Sequence, residues 1–175
     1  MSKLTLAVAA RDHVQGPETA LVTLVEYGDY ECPHCGHAYP IAKAVQKHFG
    51  AKLRFVFRNF PLREAHPHAQ LSAESAEAAG AQGKFWEMHD ALFEHQNDLS
   101  PPAIARLAQH IAGLDVERWA KDVQDHAFER RVAEDFSSGI RSGVNGTPSF
   151  FMNGLRYDGP LETPSLIEAI DSLLG

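Results

Sequence analysis

Leu21-Val22-Thr23-Leu24-Val25-Glu26-Tyr27-Gly28-Asp29-Tyr30-Glu31-Cys32-Pro33-His34-Cys35 is the stretch whose reading decides the fold. Residues 21–27 are rich in β-branched side chains and nearly continuous in apolarity, the pattern of a strand buried on both faces. A polar turn over 28–31 follows, and a helix starts at the cysteines. Further along, Ile41, Ala44, Val45, His48 and Phe49 recur at helical spacing, and Gly50 supplies a C-terminal stop. Pro40 falls inside this helix and predicts a kink. Residues 53–58 (Leu-Arg-Phe-Val-Phe-Arg) then alternate as a second strand does. Strand, helix and strand of these lengths imply a parallel pair with a right-handed crossover.

Outward from that unit, the pattern over 66–143 is helical throughout. The expected helices are 69–82, 84–95, 101–112, 116–124 and 128–142, with breaks at Gly83, at 97–100 and at 113–115. Strand character returns in Ser149-Phe150-Phe151-Met152 and in Leu155-Arg156-Tyr157, separated by Asn153-Gly154, a strong hairpin signal. The last helix has Thr163 as N-cap, Pro164 at its first position, and Leu166, Ile167, Ile170, Leu173 and Leu174 on one face. The order is βαβ, a helical block, then ββα. The expected division is therefore one α/β domain over 1–63 and 144–175, with an inserted α-helical domain over 64–143.

The 175 residues, 44% apolar and 22% charged, suit one globular domain carrying a large insertion and exclude disordered, collagen-like and coiled-coil chains. A net charge of −7 without a basic run argues against nucleic acid as a partner. No apolar run reaches the roughly 18 residues that span a bilayer, so no membrane partnership is expected. Residues 4–10 are too few and too mildly apolar for a signal peptide and read as a short first strand or extended arm. The expected location is thus cytoplasmic, with a periplasmic or exported one as the alternative for a protein whose leader has been removed.

The two cysteines, Cys32 and Cys35, close too short a loop to constrain the unfolded chain, so their role is chemical. The reactive form of a thiol is the thiolate. At a helix N-terminus, unpaired N–H groups and the helix dipole favour that anion on Cys32. Pro33 at the first helical position is pre-set for helix entry, and His34 can add a donor or positive charge beside the sulfur. Cys35, one turn in, is placed to close a disulfide with Cys32 while being more buried and less acidic. This reading needs no cofactor beyond the Cys32–Cys35 pair. The competing reading is a half zinc site with His34 or His37 as a third ligand. No second Cys-x-x-Cys supports it, and His34 inside the loop is awkwardly placed. No metal is therefore expected.

These motifs, with Asp12-His13-Val14, Phe57-Arg58-Asn59-Phe60-Pro61-Leu62, Gly83-Lys84-Phe85-Trp86-Glu87-Met88-His89 and Gly143-Val144-Asn145-Gly146-Thr147-Pro148-Ser149-Phe150-Phe151, make nearly the whole chain resemble the DsbA family of thiol–disulfide oxidoreductases. The resemblance implies a thioredoxin fold interrupted by a helical domain, in agreement with the element order above. It implies that Cys32 forms mixed disulfides and Cys35 resolves them. It places a buried acid at Glu26 that takes the Cys35 proton; the alternative has Glu26 ending its strand in solvent. It also implies a cis bond at Thr147-Pro148 facing the cysteines, with the Thr147 backbone free to pair with an extended substrate. The expected partners are thiol- or disulfide-containing proteins and a redox partner that resets the site. A redox-inert metal-binding or chaperone-like module of the same fold is the alternative function. His37 reads as solvent-facing. His66, His68, His89 and His95 read as polar surface or core edge rather than a metal site. Phe85, Trp86, Met88, Leu92 and Phe93 read as the core joining the helical block to the sheet.

Overall fold

A computed structural model describes residues 2–175. Its strands are β1 (His13–Gln15), β2 (Val22–Gly28), β3 (Leu53–Asn59), β4 (Ser149–Met152) and β5 (Leu155–Tyr157). Its helices are α1 (Pro33–Phe49), α2 (Ala69–Gly80), α3 (Phe85–Glu94), α4 (Pro101–Gln109), α5 (Val116–Gln124), α6 (Glu129–Arg141) and α7 (Thr163–Leu174). One sheet runs in the order β1-β3-β2-β4-β5. The continuous apolarity of β2 has its cause here, because β2 is central, parallel to β3 and antiparallel to β4. This is the α/β thioredoxin fold, with α2 to α6 entering between β3 and β4.

Both faces of the sheet are covered. Leu24, Phe55 and Phe57 share one core with Ala38, Val45, Phe85, Met88, Leu92 and Ile170, which come from α1, α3 and α7. Val25, Tyr27, Val56, Phe60 and Phe151 form the other core, against which Phe136 of α6 packs. Strand residues alternate between the two faces, so Glu26 lies on the side of Leu24, which α1 covers. The α3 aromatics join the helices to the sheet as expected, Phe85 lying 6.3 Å from Phe57 and Trp86 5.8 Å from Phe55. The Asn-Gly turn has positive φ at both residues, 47° for Asn153 and 82° for Gly154, which those residue types tolerate best.

Several local expectations are corrected. Strand β1 was not expected; three residues of mixed polarity carry no periodic signal, and β1 exists because it pairs antiparallel with β3. Residues 3–4 meet the far edge instead, where Lys3 bridges Leu155 and the Leu4 N–H donates to the Gly154 carbonyl at 2.8 Å. Thr163 is not the cap of the last helix: Glu162 is, its carbonyl taking the first helical bond from the Leu166 N–H at 3.0 Å. The turn at 28–31 is not simply polar, since Asp29 and Tyr30 are both buried.

Candidate active site

Cys32 caps the N-terminus of α1 in extended conformation, and Pro33 begins the helix. The chain must reverse sharply here from β2 into α1, and Asp29 organises that turn. Its carboxylate accepts from the Glu31 N–H at 2.8 Å and the Leu62 N–H at 2.9 Å, and it pairs with His66 at 2.8 Å. Its own N–H donates to the Cys35 Sγ at 3.4 Å. Glu31 accepts from the His68 N–H at 2.6 Å and pairs with His68 Nδ1 at 2.9 Å. The His66-Pro67-His68 segment therefore fastens the β3–α2 loop to the redox turn through two carboxylates. Among the described residues, no group of three or more His, Cys, Asp or Glu converges to hold a metal ion.

Both cysteines are free thiols, with Cys32 4% and Cys35 0% exposed. Their electrostatics diverge. A hydrogen bond from the Cys35 thiol, aided by the backbone N–H groups of Cys35 and His34, outweighs desolvation and lowers the Cys32 pKa to about 5. Burial pushes the Cys35 thiol well above its ordinary value, and its bond to Cys32 and the charge of Glu26 push the same way. Two thiols of identical chemistry are thereby set apart, one favouring the thiolate and the other the thiol.

Glu26 is 2% exposed and sits between Phe57 of β3 and Phe150 of β4. Its Oε1 has no hydrogen-bond partner among the described residues. Burial, and after it the negative charge of Cys32, raise its pKa to about 8. The Thr147-Pro148 bond is cis. The Thr147 carbonyl accepts from Cys32 Sγ at 3.5 Å. His34 and Pro33 are exposed, and His34 joins Thr147, Pro148, Phe150, Tyr157 and Leu161 around a cleft of about 200 Å³ beside the thiols. His37 is exposed on α1. All seven residues singled out in the sequence thus lie in one neighbourhood. Asp29, His66, His68 and Gln96, which contacts the redox turn from beyond α3, were not assigned a place there.

The Thioredoxin family profile matches residues 9–172. The chain belongs to that family. Among solved structures, BdbD from Bacillus subtilis superposes with a TM-score of 0.85 at 26% identity, covering 94% of each chain. A thioredoxin-like oxidoreductase from Silicibacter pomeroyi gives 0.82 at 28%, over 94% of this chain and 92% of that one. Wolbachia pipientis alpha-DsbA1 shares the fold, with a TM-score of 0.84 at 20% identity over 99% of this chain and 96% of its own. This thioredoxin-superfamily chain shares its fold with DsbA-type structures and carries its redox centre in the Cys-x-x-Cys pair. Its sequence is also 46% identical over 162 residues to a Na(+)/H(+) antiporter NhaA 1 of Salinispora arenicola. That match takes in 93% of this chain but only 24% of the antiporter, so the chain spans about a quarter of such relatives. No helix among the described residues is long and apolar enough to cross a membrane.

Proposed function

We propose that the chain exchanges dithiols and disulfides with protein substrates through Cys32. The carrying observation is the placement of the two thiols, Cys32 capping the N-terminus of α1 beside the cis Thr147-Pro148 bond and Cys35 fully buried one turn in. That placement lowers the first pKa to about 5 and raises the second. At neutral pH Cys32 is a thiolate. It attacks one sulfur of a substrate disulfide, forming a mixed disulfide and releasing the other substrate sulfur as a thiolate. Cys35 then gives its proton to Glu26 in its ionised form, the minor form at neutral pH because the pKa is raised to about 8, attacks the Cys32 sulfur, and expels the second substrate thiolate. The chain ends as the Cys32–Cys35 disulfide, and the substrate gains two electrons. Run backward, the same steps oxidise a substrate dithiol.

Direction follows from the leaving group. A stabilised Cys32 thiolate favours the reduced pair and makes the disulfide the stronger oxidant. The thermodynamically favoured direction is therefore oxidation of substrate dithiols, which requires a partner that re-oxidises the pair. An extended substrate segment would lie along the cleft by Thr147, Pro148 and His34, pairing with main chain beside Cys32. The antiport named for the longer relatives is not carried over to this segment.

The test is turbidimetric reduction of insulin by dithiothreitol, comparing wild type with Cys32→Ser. Wild type accelerates precipitation, and the variant falls to the uncatalysed rate. Equal rates for the two would overturn the reading in favour of a redox-inert module.

A further inference from the structure

Gln96 follows α3 and has no role in the exchange steps, yet its side chain is built into the redox turn. Its Nε2 donates to the Tyr30 carbonyl and to the Cys32 carbonyl, both at 2.8 Å. The Cys32 carbonyl also takes the Gly36 N–H at 3.0 Å, so the backbone on both sides of Glu31 is held from the helical block. The amide lies directly against Gly36. A Cβ placed on Gly36 would come within 2.2 Å of Gln96 Oε1 and 2.9 Å of its Cδ. Gly36 has no positive φ that would require glycine, so space for the amide is what the missing side chain provides. Nearby, the Tyr39 hydroxyl donates to Glu94 at 2.9 Å and Lys43 Nζ to Asp90 at 2.7 Å, fixing α1 along α3.

We infer that Gln96 is a positioning residue for Cys32, acting from the helical block, and that Gly36 is its receptor. The inference rests on the thiol-exchange reading of the site. The physical effect has a definite sign. The Cys32 carbonyl belongs to the residue bearing the reactive sulfur and the Tyr30 carbonyl lies two residues before it, and both oxygens are negative dipole ends. Paired with an amide donor they are partly neutralised, and the turn keeps the His34 and Cys35 N–H groups aimed at the thiolate. Without the amide, the oxygens are freed and the turn loosens, so the thiolate becomes less favourable.

Gln96→Ala, Gly36→Ala and the double variant test this, each titrated by thiolate absorbance at 240 nm and by alkylation rate at pH 5. Each single variant raises the Cys32 midpoint by about half a unit to one unit, the scale of one or two neutral hydrogen bonds. Alkylation at pH 5 then falls about two- to five-fold, in proportion to the thiolate fraction. The double variant matches the singles, because Gly36→Ala acts only by displacing the Gln96 amide. Gly36→Ala replaces a helical glycine by a better helix former, so its thermal midpoint holds or rises while the thiol titration shifts. That separates positioning from loss of structure. Wild-type titration in both singles, or a further shift in the double, overturns the inference while insulin reduction by wild type leaves the exchange reading standing. A wild-type Cys32 midpoint near 9, with no insulin reduction, overturns both.

Discussion

Asp12 and Glu26 are both buried carboxyls within the same sheet region, and the fold treats them in opposite ways. Asp12 has every need met: Arg58 Nε donates to Oδ1 at 2.8 Å, Arg58 Nη2 to Oδ2 at 3.0 Å, and the Ala9 N–H to Oδ2 at 2.9 Å. Burial alone would raise its pKa, but these donors hold it below the ordinary carboxylate value. Arg58 is itself fully buried and spends its other donors on the Leu6 carbonyl and the Tyr27 hydroxyl, both at 2.9 Å, and on the Ala7 carbonyl at 3.3 Å. Glu26 has an oxygen with no partner and a pKa raised to about 8. One acid is permanently charged and fastens the N-terminal segment to β3. The other is kept close to the point of gaining or losing a proton, on the sheet face beneath the thiols. A buried acid with a matched cation serves structure; one left short of donors on the opposite face of the sheet stays titratable near neutrality.

Breaking the satisfied side has the largest effect. Arg58→Met leaves the Asp12 carboxylate buried without its cation and costs about 3–5 kcal/mol in urea unfolding at pH 7. Cys32 titration in that variant, measured in the folded protein, stays at its wild-type midpoint. A stability loss within about 0.5 kcal/mol would show that the pair carries no structural weight.

The unsatisfied side responds in the reverse sense. Because the folded pKa of Glu26 is raised from 4.5 to about 8, its ionisation penalty is absent below pH 4.5 and complete above pH 8. Glu26→Gln therefore stabilises the reduced protein by about 2 kcal/mol at pH 8.5, and by almost nothing at pH 4, in chemical unfolding. The same change slows resolution of a mixed disulfide by roughly ten-fold near pH 8, where about half of Glu26 is ionised and able to take the Cys35 proton. A pH-independent stability change together with an unmoved rate profile would remove Glu26 from the mechanism.

Much of this contrast was hidden in the sequence. The strand–helix–strand unit and the helical block were legible because long periodic elements repeat their signal. The Cys-x-x-Cys was legible because helix entry, proline and thiol spacing agree. Glu26 could be singled out, since an acid inside an apolar strand needs a reason, though its burial could not be read from it alone. Arg58 was opaque: at the polar position of an alternating strand it resembles a solvent-facing residue, and only the packing of residues 6–12 over β3 buries it. Tyr30, read as part of a polar turn, is buried among Phe57, His89 and Phe93, which reach it from β3 and α3. Gln96 lies just beyond a helix end, where no periodicity marks it, and its partners are backbone carbonyls, which carry no side-chain signature. Contacts made to main chain across the fold leave the weakest trace in sequence.

The central claim is that one fold environment makes two neighbouring thiols chemically unlike. Titrating the reduced protein by absorbance at 240 nm, with Cys35→Ser and Cys32→Ser beside it to assign each step, tests it most directly. The account predicts a step near pH 5 from Cys32 in the wild type, and no thiolate from Cys35 below about pH 9. A pair titrating together near the ordinary thiol value of 9.0 would contradict it.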